Sequence, residues 1–325
     1  MSTLVPPPAK RQRTDESDDA SVTRSDIWYS DGSVVLQAQN TQFRVHWSLL
    51  GQHSTFFRDM QTLPQPPDQP VVEGCSVVEL QDSVEDVKHL LTVLYNPNFA
   101  YQKAVPFEIV AALIRLGRKY EFRSLLDSAV ERVTSENPTT LEEYDILEGS
   151  EDYYPKSILD YPGLEFDMLA LARENNIMTA LPCAYYRILK YYTHRHLFDG
   201  FTKADGTLFT LSPVDQKLCS LGREKIIAAQ MLPGSTSTLG WLCKWDYATD
   251  CTSSTRKCKK LRGTFLQECF TDVSVRALTK APSLAFCAGC TRRVEELVSA
   301  GRNKAWEELP AFFDLPPWAK LKNDI

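Results

Sequence analysis

The sequence predicts an α+β fold: an N-terminal unit of short strands and helices, then a helical middle and a small cysteine-rich end. Three observations carry that prediction. Strand-type runs at Val34-Val35-Leu36 and Val77-Val78-Glu79-Leu80 are interleaved with segments of helical apolar spacing. A helical pair over residues 107–133 has a spacing that recurs later in the chain. Most of the nine cysteines fall between residues 243 and 290.

Each element has a local reason. Val34, Val35 and Leu36 form a continuous apolar run, the pattern of a strand buried on both faces. Leu49, Leu50, Phe56, Phe57 and Met60 share a side at helical spacing, as do Val84, Val87, Leu90, Leu91 and Leu94. Asn96-Pro97-Asn98 ends the second of these helices, because proline disfavours helical geometry in the residue before it and has no N–H to donate. Pro64 to Pro70 holds four prolines in seven residues and reads as an extended spacer. His46 reads as a packed, hydrogen-bonded side chain rather than a base or ligand.

The order of these segments carries a resemblance. It runs strand, Phe43-Arg44-Val45-His46 edge, Ser54-Thr55-Phe56-Phe57 helix, second strand, Leu90-Leu91 to Leu94-Tyr95 helix, and closing helical hairpin. This resembles the BTB/POZ domain over residues 24–134, about a third of the chain. Trp306 to Trp318, taken with Ser25 to Ser33, is similar to the large group of BTB proteins found in mushroom-forming (basidiomycete) fungi. Many BTB dimers exchange an amphipathic N-terminal helix and strand, and nothing before Asp26 has helical apolar spacing. Weak self-association is therefore expected.

Flanking regions are read from composition and periodicity. Residues 1–23 are poor in hydrophobics and predict a disordered tail. Lys10, Arg11 and Arg13 follow prolines there and are similar to a nuclear-import signal, so a nuclear location is expected; a merely solvated tail is the plain alternative. Residues 135–165 lack clear period and read as a connecting segment. Leu116, Arg118, Phe122, Leu126, Ala129, Arg132 and Val133 recur 55 residues later as Leu171, Arg173, Ile177, Leu181, Ala184, Arg187 and Ile188. That echo predicts a second helical hairpin within a helical region over 166–234. In the same region Ser212 and Pro213 start a helix with Leu218, Leu221 and Ile226 on one face.

Residues 235–325 form the cysteine-rich C-terminal module. Cys287-Ala288-Gly289-Cys290 places two thiolates where they face one ion, with Gly289 easing a tight turn, and Cys243, Cys251 and Cys258 lie upstream. The predicted set for a structural Zn2+ is Cys243, Cys251, Cys287 and Cys290, with Cys258 as substitute for Cys251. Four thiolates around tetrahedral zinc leave no open position for chemistry. A long helix over 292–309 follows the knuckle. Free buried cysteines are the competing reading; a redox CxxC lacks the strand–helix setting it needs. His194 and His196, two apart on a helix, diverge and are rejected as a metal pair. Trp306, Phe312, Phe313 and Trp318 read as packing onto the helical region.

Composition bounds the function classes. A net charge of -6 argues against nucleic acid as a partner of the whole surface. Residues 244–304 nevertheless carry twelve Lys/Arg against six Asp/Glu, leaving +6 there and -12 elsewhere. The basic run Arg256 to Arg262 makes nucleic-acid binding the second functional reading, although no aromatic residues interleave it. No stretch reaches the roughly 18 apolar residues of a membrane span, and no secretory leader opens the sequence. No phosphate-binding glycine loop, nucleophile elbow or HExxH motif occurs, so no catalytic residue is assigned and a non-enzymatic protein is expected. The reading is a protein–protein interaction adaptor or scaffold. The BTB resemblance implies protein partners, among them a cullin scaffold, with nuclear co-regulation as its other version.

Overall fold

The computed structural model describes residues 22–64, 68–149, 155–203, 206–231, 238–242, 251–252, 256–271 and 274–325. The basic cluster at Lys10 to Arg13 and part of the proline-rich loop lie outside the described residues.

A five-stranded sheet in the order β1-β3-β2-β5-β4 opens the fold. Its strands are β1 (Thr23–Trp28), β2 (Val34–Ala38), β3 (Thr41–Val45), β4 (Val71–Val72) and β5 (Cys75–Leu80). β2 is central, antiparallel to β3 and parallel to β5. That position explains its apolar run: Val34, Leu36 and Ala38 enter the main core, while Val35 packs on the other face with Cys75 and Val77. β1 runs parallel to β3 at the sheet edge, anchored where Arg24 and Arg44 both reach Glu73 at 2.6 and 2.9 Å. Its sequence, Thr-Arg-Ser-Asp-Ile-Trp, has little of the apolar alternation by which strands are read.

Helices α1 (Trp47–His53), α2 (Thr55–Thr62) and α3 (Val84–Tyr95) cover the core face of the sheet. Ser54 caps α2 by accepting from Phe57 N, and its hydroxyl donates to Tyr120 O at 2.5 Å. Ser83 caps α3, which ends at Asn96 with Pro97 beginning the next turn. Phe57 sits among the rings of Trp47, Phe56, Tyr120 and Phe122. His46 is hydrogen-bonded, its Nδ1 2.9 Å from the Tyr95 hydroxyl and its Nε2 3.3 Å from Asp31.

The predicted duplication is present in backbone detail. One hairpin is α4 (Phe107–Lys119) with α5 (Arg123–Glu136), the other α7 (Leu164–Glu174) with α8 (Leu181–Tyr191). The first turns at Glu121 with φ 55°, the second at Asn176 with φ 53°. Phe122 N donates to Gly117 O at 2.9 Å, and Ile177 N donates to Ala172 O at 2.9 Å. Both are the six-to-one bond of a left-handed helix stop. Arg118 donates to Asn175 O at 3.1 Å and so joins one turn to the other.

Between the hairpins the segment read as connecting contains a helix, α6 (Leu141–Glu148). The signal for it was the helix-start pattern Thr140-x-x-Glu143. Thr140 accepts from Glu143 N, and its hydroxyl also meets the Glu143 carboxylate at 2.7 Å. Buried Glu136 then accepts from Lys156 N and Ser157 N, pinning the chain before α7.

After α9 (His194–Asp199) and a small hairpin of β6 (Phe201–Thr202) and β7 (Leu208–Phe209) comes α10 (Pro213–Met231). Ser212 caps it, as expected. Its buried face is Asp215, Cys219, Gly222, Ile226 and Gln230; Leu218 is half-buried, and Leu221 is exposed, contrary to expectation. Gly222 takes the buried place because the Phe313 ring lies against it: an added Cβ would fall 2.5 Å from that ring.

The chain ends in α11 (Arg256–Thr271), α12 (Ala288–Glu307) and α13 (Leu309–Phe312). α12 straddles two cores. Val294 and Val298 join a small cluster with Leu239, Trp241, Leu242 and Cys269, whereas Ala305 and Trp306 belong to the main core. Arg302 forks onto Asp145 and donates to Leu278 O at 2.9 Å. Trp306 donates to Thr139 O and stacks on Trp318. The aromatic stretch therefore packs onto the helical region, with Phe313 fully buried. Residues 323–325 then return to the twin turns. Asp324 N donates to Asn176 O, Asn323 Oδ1 accepts from Thr179 at 3.0 Å, and Arg118 and Arg123 donate to Asp324 O and Ile325 O.

Candidate metal centre and the interaction domain

Two helix starts build the cysteine cluster. Cys287 is the N-cap of α12 and Cys290 lies in its first turn, three residues on. Those two positions face each other at any helix start, which is why a capping box works there, and the same geometry aims both sulfurs at one point. Gly289 is therefore a helical residue rather than the pivot of a tight turn. Cys258 occupies the first turn of α11, and Cys251 approaches from a stretch outside any helix.

The four sulfurs of Cys251, Cys258, Cys287 and Cys290 all lie within 4.8 Å of one another. The Cys251 and Cys287 sulfurs are 3.6 Å apart. Tetrahedral ligands at a zinc–sulfur distance of about 2.3 Å sit about 3.8 Å apart, so this donor set fits one ion of that size. Cys251 and Cys287 are half-buried; Cys258 and Cys290 are buried. Of the predicted ligands, Cys251, Cys287 and Cys290 meet, and Cys258 joins them beside Cys251 rather than in its place. Cys243 lies outside the described residues.

The surroundings suit concentrated sulfur charge. Both helices point their N-termini at the cluster, each equivalent to roughly half a positive charge. Lys257, Lys259, Lys260, Arg292 and Arg293 are exposed within the first two turns of those helices. Burial and hydrogen bonding to the Cys251 and Cys287 sulfurs push the Cys290 thiol well above the ordinary thiol range. Metal binding reverses that balance, because the ion takes thiolates and releases their protons. Thiols remote from the cluster have a simpler environment. Burial alone is the main cause that pushes Cys183 up to about 11 and Cys219 up to about 12, leaving them inert packing groups.

A small apolar core joins the same two helices. Trp241 stacks on Phe265 and meets Phe286 edge-on, with ring centres 6.0 and 6.2 Å away. Arg262 donates to Leu242 O at 2.6 Å, tying α11 to that turn. The basic run is thus helical, with Arg262 and Cys258 committed inward and its lysines outward.

At the other end, a mixed sheet covered by α1 to α3 and closed by a helical hairpin defines an interaction module. Residues 28–136 match the BTB/POZ domain family, and this part of the chain is a BTB/POZ domain. Such domains are interaction modules in general rather than catalysts. The match covers about a third of the chain; no curated protein matches it. Among the described residues, no helix is long and apolar enough to cross a membrane.

Proposed function

We propose that this protein is a non-catalytic interaction adaptor, built on its BTB/POZ domain and steadied by a structural Zn2+. The observation that carries the reading is the domain at residues 28–136, extended by a second hairpin that repeats its closing one. α7 and α8 prolong the helical surface of α4 and α5, and the returning segment 323–325 locks the two turns together. A rigid helical extension of that kind sets the distance between a partner held by the domain and one held farther along the chain. It favours the substrate-adaptor version, in which a cullin-type ubiquitin ligase scaffold is one of two partners. Nuclear co-regulation is the other version, with the Lys10 to Arg13 cluster directing import. The cysteine-bearing C-terminal half also keeps the likeness to BTB proteins of mushroom-forming fungi.

The test is affinity capture of the full chain from native extract. Enrichment of a cullin supports the adaptor, chromatin factors without a cullin support the co-regulator, and recovery of neither class sinks both. Self-association is expected to be weak, because β1 is used within its own sheet; a tight dimer in sedimentation would overturn that.

Zinc is the ion we assign to Cys251, Cys258, Cys287 and Cys290, since four thiolates at tetrahedral spacing make a closed structural site. Its role is to hold the starts of α11 and α12 together where the apolar cluster is small. Purified protein should carry about one zinc per chain; metal-free protein that is fully stable would refute the assignment.

A further inference from the structure

The four sulfurs are unequal, and the inequality follows a pattern. Cys258 and Cys290 are buried and stand in the first turns of α11 and α12, where the helix fixes their backbone. Cys251 and Cys287 are half-buried, 3.6 Å apart, and outside helical turns: one lies in irregular chain, the other at an N-cap. The two less buried cysteines are thus also close neighbours that stand outside helical turns.

We propose that Cys251 and Cys287 form an oxidation site for small peroxides, closing a disulfide that ejects the metal. The inference rests on the zinc assignment above. Metal-bound sulfur remains a thiolate, the nucleophilic form. One of these two thiolates attacks one oxygen of hydrogen peroxide. The O–O bond breaks, leaving a sulfenic acid and a hydroxide that a proton converts to water. The second thiolate attacks that sulfur, the S–O bond breaks, and the second oxygen leaves as water after protonation. Two thiolates are oxidised by two electrons, one peroxide is reduced, and two protons are consumed. The sulfurs close from 3.6 Å to a bond of about 2.05 Å. Stripped of two of its four donors, the ion departs, and Cys258 and Cys290 take up protons.

The consequence reaches the small core. The disulfide spans 36 residues between Cys251 and Cys287, but it does not reproduce the link to Cys258 that ties α11 in. Trp241 and Phe265 then lose the constraint that keeps them stacked. Oxidation loosens α11 and leaves the first half of α12 tethered by one covalent bond.

Zinc content of the full-length protein is measured first, which separates the two readings, since its absence overturns the zinc assignment itself. Loaded protein is then treated with hydrogen peroxide beside a chromogenic chelator, alkylated and mapped by mass spectrometry. The expected result is release of the bound zinc, a Cys251–Cys287 disulfide, and alkylated Cys258 and Cys290. Reductant with added zinc should restore the starting state. Cys251→His keeps a nitrogen donor for the ion but removes the disulfide partner, and should slow release at least about tenfold. Zinc retained by the wild-type protein, a disulfide joining Cys258 to Cys290, or random pairing among the four would each overturn the proposal.

Discussion

The two ends of this molecule are held by different physics. In the BTB half, Val34, Leu36, Phe43, Phe57 and Leu91 are almost wholly removed from water and continuous with the core of both hairpins. Among the described residues around α11, six buried hydrophobic residues form a separate small cluster, and α11 and α12 carry three of the four clustered sulfurs, one of them at a cap. A large core tolerates the loss of one contact because many others remain, whereas a small one relies on whatever staples it. The divide falls inside α12. Its first half belongs to the small cluster and the cysteines, and from Ala305 onward it belongs to the large core.

The largest effect should come from the staple. Apparent metal-binding energies of structural zinc are about 10–16 kcal/mol near neutral pH, as large as the burial of six apolar side chains contributes. Chelation should therefore abolish hydrogen-exchange protection in α11 and the start of α12 while the BTB half and residues 305–325 keep theirs. Acidification should do the same, since protons compete with the ion for thiolates and affinity falls with pH. Cys287→Ser should mimic chelation; Cys75→Ser, in the patch behind β2, should cost about 1 kcal/mol. Unchanged protection without metal would erase the contrast between the ends.

Phe57→Ala attacks the other end. It should cost about 3–5 kcal/mol in urea unfolding of the BTB half, as expected for a truncated core aromatic, without altering zinc content. A fall in bound zinc would mean that the two regions are energetically one. Gly222→Ala probes the seam between α10 and α13. The added methyl meets Phe313 and should destabilise by about 1–3 kcal/mol, read as a lower urea midpoint. Smallest is Thr140→Ala, which removes the cap of α6 and should cost about 1 kcal/mol. No change there would show that the buried Tyr144 and the Arg302–Asp145 pair hold the helix without its cap.

The same contrast governs how much could be read beforehand. Motif order over residues 31–133 and the 55-residue echo were legible because buried faces impose a period on the sequence. The echo proved deep enough to place Glu121 and Asn176 in matching left-handed turns. What escaped was encoded otherwise. α6 is short and announced by its Thr140 cap rather than by apolar period. Leu221 and Gly222 exchanged roles because hydrophobic counting overlooks a glycine on which a ring rests. In the cysteine cluster, spacing located the knuckle but left the upstream ligands open. A sulfur brought in by chain of irregular path has no sequence period to announce it, whereas Cys258 gains its place from the start of a helix.

The return of residues 323–325 to the twin turns bears on how the chain acquires its shape. Arg118 and Arg123 bond to carbonyls 206 and 202 residues downstream. A ribosome adding about 5–20 residues per second therefore exposes the first hairpin's turn for about ten seconds or more before its clasp emerges. During that interval the turns at Glu121 and Asn176 lack the partner strands of chain that bind them, and this surface is open to chaperones. The long-range closure makes the finished BTB half a late product of synthesis, although its own sequence is made first.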